Sequence, residues 1–325
     1  MKNLRKSDLR DRKQFEIARR TERDESPRRR SKLQTPAKGA GIRLLGEGGH
    51  PEICGNHHRK GGRLAPSSDN HRNSRHLFKY WNQVKKCVAA AKHLAIFLDF
   101  DGTLTPLRRR PTDAILAEET RALLGRLARQ PSVTLCIISG RRREDLQKRV
   151  NVRRTIYLGL HGWERDKGAR SSVAAREILS PARRSLTRRL SGLPHVWVGD
   201  KGPCFEVHYQ GASPATIRKT RAIVRSVLRP LKKDARILPG RKIWEILPRE
   251  IEGKGAAVRA LLAEFPRPVL SIYAGDDFSD ESAFQALPHG VTVRVGSPRR
   301  TKARFQLRNP EEVVNFLQKV EAEIT

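Results

Sequence analysis

From Leu77 onward the apolar positions follow two rhythms. Leu77, Tyr80, Trp81, Val84 and Val88 recur at helical spacing, and the helix they predict runs into the unbroken apolar stretch Leu94 to Leu98. That stretch reads as a parallel strand buried on both faces. Apolar runs bounded by turn residues follow at Val133 to Ile138, Ile156 to Leu158, Val269 to Ala274 and Val291 to Val295, separated by helical patterns such as Glu118 to Arg129 and Gly255 to Phe265. Strands that alternate with helices predict an α/β fold built on a doubly wound parallel sheet. Between Lys167 and Pro248 the rhythm changes. A helix at Val173 to Leu190 precedes half-buried strands at Val196 to Val198 and Cys204 to Tyr209, joined by a Gly-Asp-Lys-Gly-Pro turn. A helix at Pro214 to Leu231 and strands at Ala235 to Leu238 and Lys242 to Leu247 complete the block. This αββαββ insertion predicts an α+β lid over a cleft at the strand ends, with Trp197 and Trp244 placed in the lid's own core ahead of a role as stacking platforms.

Residues 1–76 carry a single Phe, Tyr or Trp, Phe15, among Ser, Arg, Gly, Asn and His, too little apolar surface to offset ordering entropy. They are expected to form a basic, mostly disordered tail, with a thin helical stripe around Ser7 to Arg23. The remaining chain divides into a core, residues 77–166 and 249–325, and the lid, residues 167–248. The 325 residues are 37% hydrophobic and 31% charged, as in a soluble globular protein. No apolar stretch approaches the roughly 18 residues of a membrane span, and the first residues lack a signal-type apolar core, so a cytoplasmic location is the default expectation. The net charge is +33, of which +12 falls in residues 1–80 and +21 in the rest. Basicity is therefore global, and a nucleic-acid partner is expected only through the tail. Cys54, Cys87, Cys136 and Cys204 lie far apart and read as reduced thiols.

The chemistry gathers at predicted strand ends. The strand Leu94 to Leu98 empties into Asp99-Phe-Asp101-Gly102-Thr-Leu104, two carboxylates two residues apart where open α/β sheets bind ligands. Ser139-Gly140-Arg141 ends the next strand at a turn into a helix, a place suited to hydrogen-bonding a phosphate. Lys254 lies between Gly253 and Gly255 at a helix start, where a point charge can approach an anion closely. Gly275-Asp276-Asp277-Phe-Ser-Asp280-Glu281 crowds four acids into six positions, which repel one another unless a cation neutralises them; oxygen-only ligands point to Mg²⁺.

The ordered set DFDGTL, SGR, GKG and GDDFSDE resembles the four motifs of the haloacid dehalogenase superfamily of phosphatases, over about residues 92–325. The resemblance implies that Asp99 attacks phosphorus to give an aspartyl phosphate, while Asp101 protonates the leaving oxygen and then activates water. Ser139 and Lys254 would hold the phosphoryl group. Asp276 would bind Mg²⁺ with Asp99 and the Asp101 carbonyl, supported by Asp277 and Asp280. Such an acid is needed because an alkoxide leaves poorly, and Mg²⁺ with Lys254 would relieve the repulsion between carboxylate and phosphate.

Gly159-Leu-His-Gly-Trp-Glu164, Asp200 to Tyr209 and Gly240 to Pro248 are similar to segments of the trehalose-phosphatase family, whose lid has this αββαββ form and whose substrate is a disaccharide phosphate. By that resemblance Gly102, Gly140, Arg141, His161, Gly162 and Glu164 in the core, and Lys201, Glu206, His208, Lys242 and Glu245 in the lid, are candidate contacts to sugar or phosphate. The histidines and the two lid glutamates also read as satisfied core or strand residues. Ser279 replaces the family's usual Thr, and Gln210 stands where an Arg is common. The expected substrate is trehalose 6-phosphate, with sucrose phosphate or a glycosyl phosphoglycerate as the neighbouring alternative. A trehalose-phosphate synthase is admitted as a protein partner. A basic scaffold that binds nucleic acid or a partner is the non-enzymatic alternative, against which the filled acid set argues.

Overall fold

The computed structural model describes residues 75–108, 111–165, 173–240, 242–265 and 268–325. The expected tail, its stripe at Ser7 to Arg23 and Cys54 lie outside them, apart from the tail's last two residues. Arg75–His76, which the composition boundary assigned to the tail, form strand β1 and pair in parallel with Phe305 and Gln306. Two polar residues carry no apolar signal, so only pairing against an edge defines them as strand.

The chain then runs through α1 (Trp81–Ala90), β2 (Leu94–Leu98), α2 (Glu118–Leu127), β3 (Val133–Ile138), α3 (Arg143–Val150) and β4 (Thr155–Leu158). The lid follows as α4 (Val173–Leu190), β5 (Trp197–Asp200), β6 (Phe205–His208), α5 (Pro214–Leu228), β7 (Ala235–Gly240) and β8 (Ile243–Pro248). The core resumes with α6 (Lys254–Leu262), β9 (Leu270–Gly275), α7 (Glu281–Ala286), β10 (Val291–Val295), β11 (Phe305–Leu307) and α8 (Pro310–Ile324). The core sheet is parallel, in the order β1-β11-β10-β9-β2-β3-β4.

Every residue of β2 is buried because helices cover both faces. Leu94, Ile96 and Leu98 point into one layer with Val84, Leu124 and Phe316; Ala95 and Phe97 point into the other with Val258 and Phe284. The last helix, α8, was missed from sequence, although Asn309 caps it by accepting from the Glu312 N–H at 3.0 Å and Pro310 takes its first turn. No helix among the described residues is long and apolar enough to cross a membrane.

The lid sheet is antiparallel, in the order β5-β6-β8-β7. Its strands alternate: Phe205, Val207, Trp244 and Ile246 pack under α4 and α5. The opposite face carries Glu206, His208 and Glu245, and register places Trp197 beside His208 on that same face. Trp244 is lid core as expected, but Trp197 is not; it is 50% exposed and stacks on His208 with ring centroids 3.5 Å apart. The strand begins one residue later than the apolar pattern suggested, and with period-2 alternation the pairing decides which face a side chain joins.

Candidate active site

Because β2, β3 and β9 are neighbouring parallel strands, their carboxyl ends deliver Asp99, Ser139 and Asp276 to one edge of the sheet. Asp99 is buried, its N–H donates to the Ala274 carbonyl at 2.9 Å, and its carboxylate accepts from Lys254 Nζ at 2.7 Å. The same ammonium donates to Asp280 at 2.8 Å, and Tyr273 Oη donates to Asp280 at 2.7 Å. Lys254 arrives at the first turn of α6. Burial opposes its charge, but Asp280 and Asp99 outweigh that and raise its pKa.

One carboxylate oxygen from each of Asp99, Asp276 and Asp280 lies within 4.8 Å of the others, a group able to hold a metal ion. Burial, opposed by Lys254 and reinforced by Asp280 and Asp101, pushes Asp99 up to about 7. Burial and the neighbouring Asp99, Asp280 and Asp277 raise Asp276 well above the usual carboxylate range. Asp280 is saturated by Lys254, Tyr273 and the Asp277 N–H at 2.8 Å. Asp276 has no carboxylate hydrogen bond among the described residues, and its only bond accepts Arg299 at the backbone carbonyl, 3.1 Å away. An all-oxygen donor set with one unsatisfied carboxylate and a single ammonium fits a hard divalent cation. Gly102 is what lets it assemble. Its φ is +85°, and a Cβ there would lie 2.5 Å from Asp276 Cγ.

The Asp101 carboxylate is turned out of this group. Arg141 holds it bidentately, Nε to Oδ2 at 2.6 Å and Nη2 to Oδ1 at 2.7 Å, and Asp145 holds Arg141 in turn at 2.8 Å. Asp277 is also turned away; it and Asp280 form a reciprocal capping box over the short turn Phe278–Asp280. Ser139 is buried, with its Oγ accepting the Arg141 N–H at 3.2 Å.

The lid closes on this edge through a second cluster. Glu206 and Glu245 face each other directly across β6 and β8, a repulsive pairing on its own. Lys201 resolves it by pairing with Glu206 and, at 2.8 Å, with Glu245, while donating to the Gly140 carbonyl of the core at 3.1 Å. His161 Nε2 meets Glu245 Oε2 at 2.7 Å, and its buried Nδ1 has no hydrogen-bond partner. Burial would raise Glu245, but His161 and Lys201 together hold it well below the usual range. His208 bonds Glu206 at 2.8 Å. Leu160 and His161 both have left-handed φ, 47° and 60°, ahead of Gly162 at 99°, where any Cβ would run into Ala257.

Two predicted residues stand apart. Glu164 spends both oxygens within the core, accepting Arg142 Nε and the first N–H of α3, each at 2.6 Å. Lys242 is exposed at the β7–β8 turn and its side chain has no partner among the described residues. Sequence reasoning missed Arg142, Asp145 and Tyr273. Arg142 also reaches the Lys201 carbonyl in the lid at 3.4 Å. Arg142 and Asp145 lie within six residues of the Ser139-Gly140-Arg141 motif, and that proximity was the available signal.

A family model described as trehalose-phosphatase matches residues 97–311. A trehalose-phosphate phosphatase of Mycobacterium ulcerans is 32% identical over 246 residues, covering 71% of this chain and 62% of its own length. A probable trehalose-phosphate phosphatase 9 of rice (Oryza sativa subsp. japonica) is 32% identical over 270 residues, covering 72% of this chain and 71% of its own. Among solved structures, the C-terminal domain of Candida albicans trehalose-6-phosphate phosphatase superposes with a TM-score of 0.67 at 21% identity, over 77% of this chain and 99% of that one, which speaks to the fold. The matched span takes in the Asp99, Ser139, Lys254 and Asp276 segments together with the entire inserted lid. With both parts of the site inside one family's model, the chain belongs to the trehalose-phosphatase family.

Proposed function

We propose that this chain hydrolyses trehalose 6-phosphate to trehalose and inorganic phosphate with Mg²⁺, through a phosphoryl group carried on Asp99. The observation that carries the reading is Lys254 tying Asp99 to Asp280 beside the unsatisfied Asp276, inside the family's matched span. The core, 77–166 and 249–325, would supply the chemistry and the lid, 167–248, the sugar contacts. Asp99, Asp276 and the Asp101 carbonyl would hold Mg²⁺, which when bound supplies positive charge that favours ionised Asp99 and offsets phosphate.

Lys254 fixes Asp99 Oδ1 and leaves Oδ2, whose nearest donor is Thr103 at 3.5 Å, to attack phosphorus. As the Asp99–phosphorus bond forms, the bond to the sugar oxygen breaks and Asp101, having taken up a proton from solvent, delivers that proton there. Both Asp101 oxygens are held by Arg141, so delivery requires that grip to open. Asp101 then takes a proton from water attacking phosphorus, which releases phosphate and restores Asp99. Ser139 and the Gly140 and Arg141 backbone suit the phosphate oxygens. In the lid, Lys201, Glu206, His208 and Glu245 exchange their mutual bonds for sugar hydroxyls, a donor and acceptor array that an apolar ligand could not satisfy. His161 Nδ1 and Lys242 are free to join them. Trp197, flat and half exposed on the same face, offers a sugar-stacking surface.

A cytoplasmic setting suits Cys87, Cys136 and Cys204, none of which forms a disulfide among the described residues. A trehalose-phosphate synthase makes this substrate and would be the functional neighbour. The test is phosphate release from trehalose 6-phosphate, sucrose 6-phosphate and glucose 6-phosphate, with Mg²⁺ or EDTA, for wild type and Asp99→Asn. Selective turnover of trehalose 6-phosphate that needs Mg²⁺ and disappears in Asp99→Asn is expected. Preference for another ester overturns the substrate, and no turnover of any ester overturns the enzyme reading.

A further inference from the structure

A concavity of about 630 Å³ lies on the core between α2 and the turn from α3 into β4. It opens where β3 and β4 begin, the opposite end of the sheet from Asp99, at least a strand length or about 16 Å away. Its volume falls in the range of small-ligand sites, roughly 300–1,000 Å³.

The lining is dominated by Arg121, Arg126, Arg129, Arg153 and Arg154. Two of these are neutralised: Arg121 pairs with Glu118, and Arg126 grips Glu321 bidentately at 2.7 and 3.0 Å. Arg129, Arg153 and Arg154 have no carboxylate or hydrogen-bond partner for their side chains among the described residues. Three unneutralised guanidiniums around one concavity repel one another, and a multiply charged anion relieves that repulsion while matching their planar forks.

The concavity is also shaped in advance. Asn151 and Arg154 both hold left-handed φ, 48° and 57°, a conformation that side chains other than glycine and asparagine rarely adopt. Between them Val152 is clamped at both backbone groups by Tyr157 Oη, which accepts its N–H and donates to its carbonyl, each at 2.9 Å. This rigid turn presents Arg153 and Arg154. Opposite, α2 contributes Gly125, whose missing side chain keeps the floor open; the nearest atom to a Cβ there would be Arg129 Nη1 at 3.6 Å.

The wall connects to the catalytic edge. Arg121 donates to the Val150 carbonyl at 3.0 Å and the Arg149 carbonyl at 3.4 Å. Arg149 Nε bonds Asp145 at 2.9 Å, Asp145 holds Arg141, and Arg141 holds Asp101. We propose that this groove binds a small molecule carrying two or more phosphate or carboxylate groups, and that its occupancy is felt at Asp101 through Arg121, Arg149, Asp145 and Arg141. The second half rests on the phosphatase reading; the first does not. A concave site of this volume favours a small anion over a nucleic acid, which calls for an extended track of cations.

The probe is fructose 1,6-bisphosphate, titrated calorimetrically into the full chain without Mg²⁺, for wild type and the double variant Arg129→Gln/Arg153→Gln. Both positions are exposed and leave the left-handed Arg154 untouched. The expected result is saturable binding weakened at least tenfold in the variant, whose melting temperature and turnover without the probe stay unchanged. Equal affinity in both proteins, or no binding at millimolar probe, overturns the site. A single-stranded oligonucleotide that binds more tightly than the bisphosphate and loses that affinity in the same variant reassigns the groove to nucleic acid. With free Mg²⁺ held constant, the bisphosphate is expected to change kcat in wild type and not in the variant. Purely competitive inhibition of equal strength in both overturns the link to Asp101. If no ester is turned over even without the probe, the phosphatase reading fails while the titration still reports on the groove.

Discussion

Replacing the buried Gly102 by alanine adds one methyl group against Asp276, and it tests the geometry of the acidic group without deleting any of its carboxylates. The added carbon would stand 2.5 Å from Asp276 Cγ and 2.8 Å from Asp276 Oδ1. Ordinary carbon to oxygen contact needs about 3.4 Å, so Asp276 must retreat by about 1 Å. It cannot retreat freely, because Asp276 sits at the end of β9 and its carbonyl is held by Arg299. The backbone penalty for a left-handed alanine adds about 1–2 kcal/mol. A misplacement of about 1 Å in a catalytic group costs on the order of 10²-fold in rate, equivalent to about 2.7 kcal/mol. The expected outcome for Gly102→Ala is therefore a loss of about 10²-fold in kcat/KM, a higher Mg²⁺ requirement, and a melting temperature lower by a few degrees. Gly192→Ala is the control: a Cβ there has nothing within 4 Å. It should leave turnover unchanged and stability equal or slightly higher. Steady-state kinetics across a Mg²⁺ titration, with thermal melts of both variants, decides the matter. Gly102→Ala activity within threefold of wild type at every Mg²⁺ concentration would refute the placement of Asp276 against Gly102.

Further outcomes follow from the lid and from the supports of the site. Glu245 has a depressed pKa in the folded protein, so the stability it contributes is present above its ordinary value of 4.5 and is lost as pH falls below it; Glu245→Gln should flatten that acid limb in melts recorded from pH 6 to pH 3, and an unchanged limb would remove Glu245 as its source. Asp145→Asn leaves Arg141 with one anchor fewer, so kcat should fall by about tenfold with KM nearly constant, and a change confined to KM would contradict a positioning role through Arg141. Glu164→Gln weakens the cap on α3 and should cost about 1 kcal/mol in denaturant melts. Trp197→Ala should raise KM for trehalose 6-phosphate by several-fold and leave activity towards a small aryl phosphate unchanged; equal effects on both esters would place the tryptophan outside sugar binding.

The chain's own order of apolar runs determined the α/β core and the inserted lid, because β2 is apolar at every position while the lid strand Phe205–His208 alternates apolar and polar residues, although pairing and the core bury Glu206 and Glu245 as well. The motif residues were legible for a related reason. Asp99, Ser139 and Asp276 each follow an apolar strand directly, so topology alone delivers them to one edge. What pairing decides is not written in the local pattern. Arg75 and His76 become a strand only against β11, and Trp197 joins the site face only through its register with His208. The same holds for electrostatics. That Glu206 and Glu245 lie opposite each other, that Lys201 reconciles them, and that Asp280 is saturated while Asp276 is not are consequences of distance between residues far apart in sequence. Local spacing sets which face and which end a side chain occupies; charge interactions fall off with separation in space, and only the folded chain sets that separation.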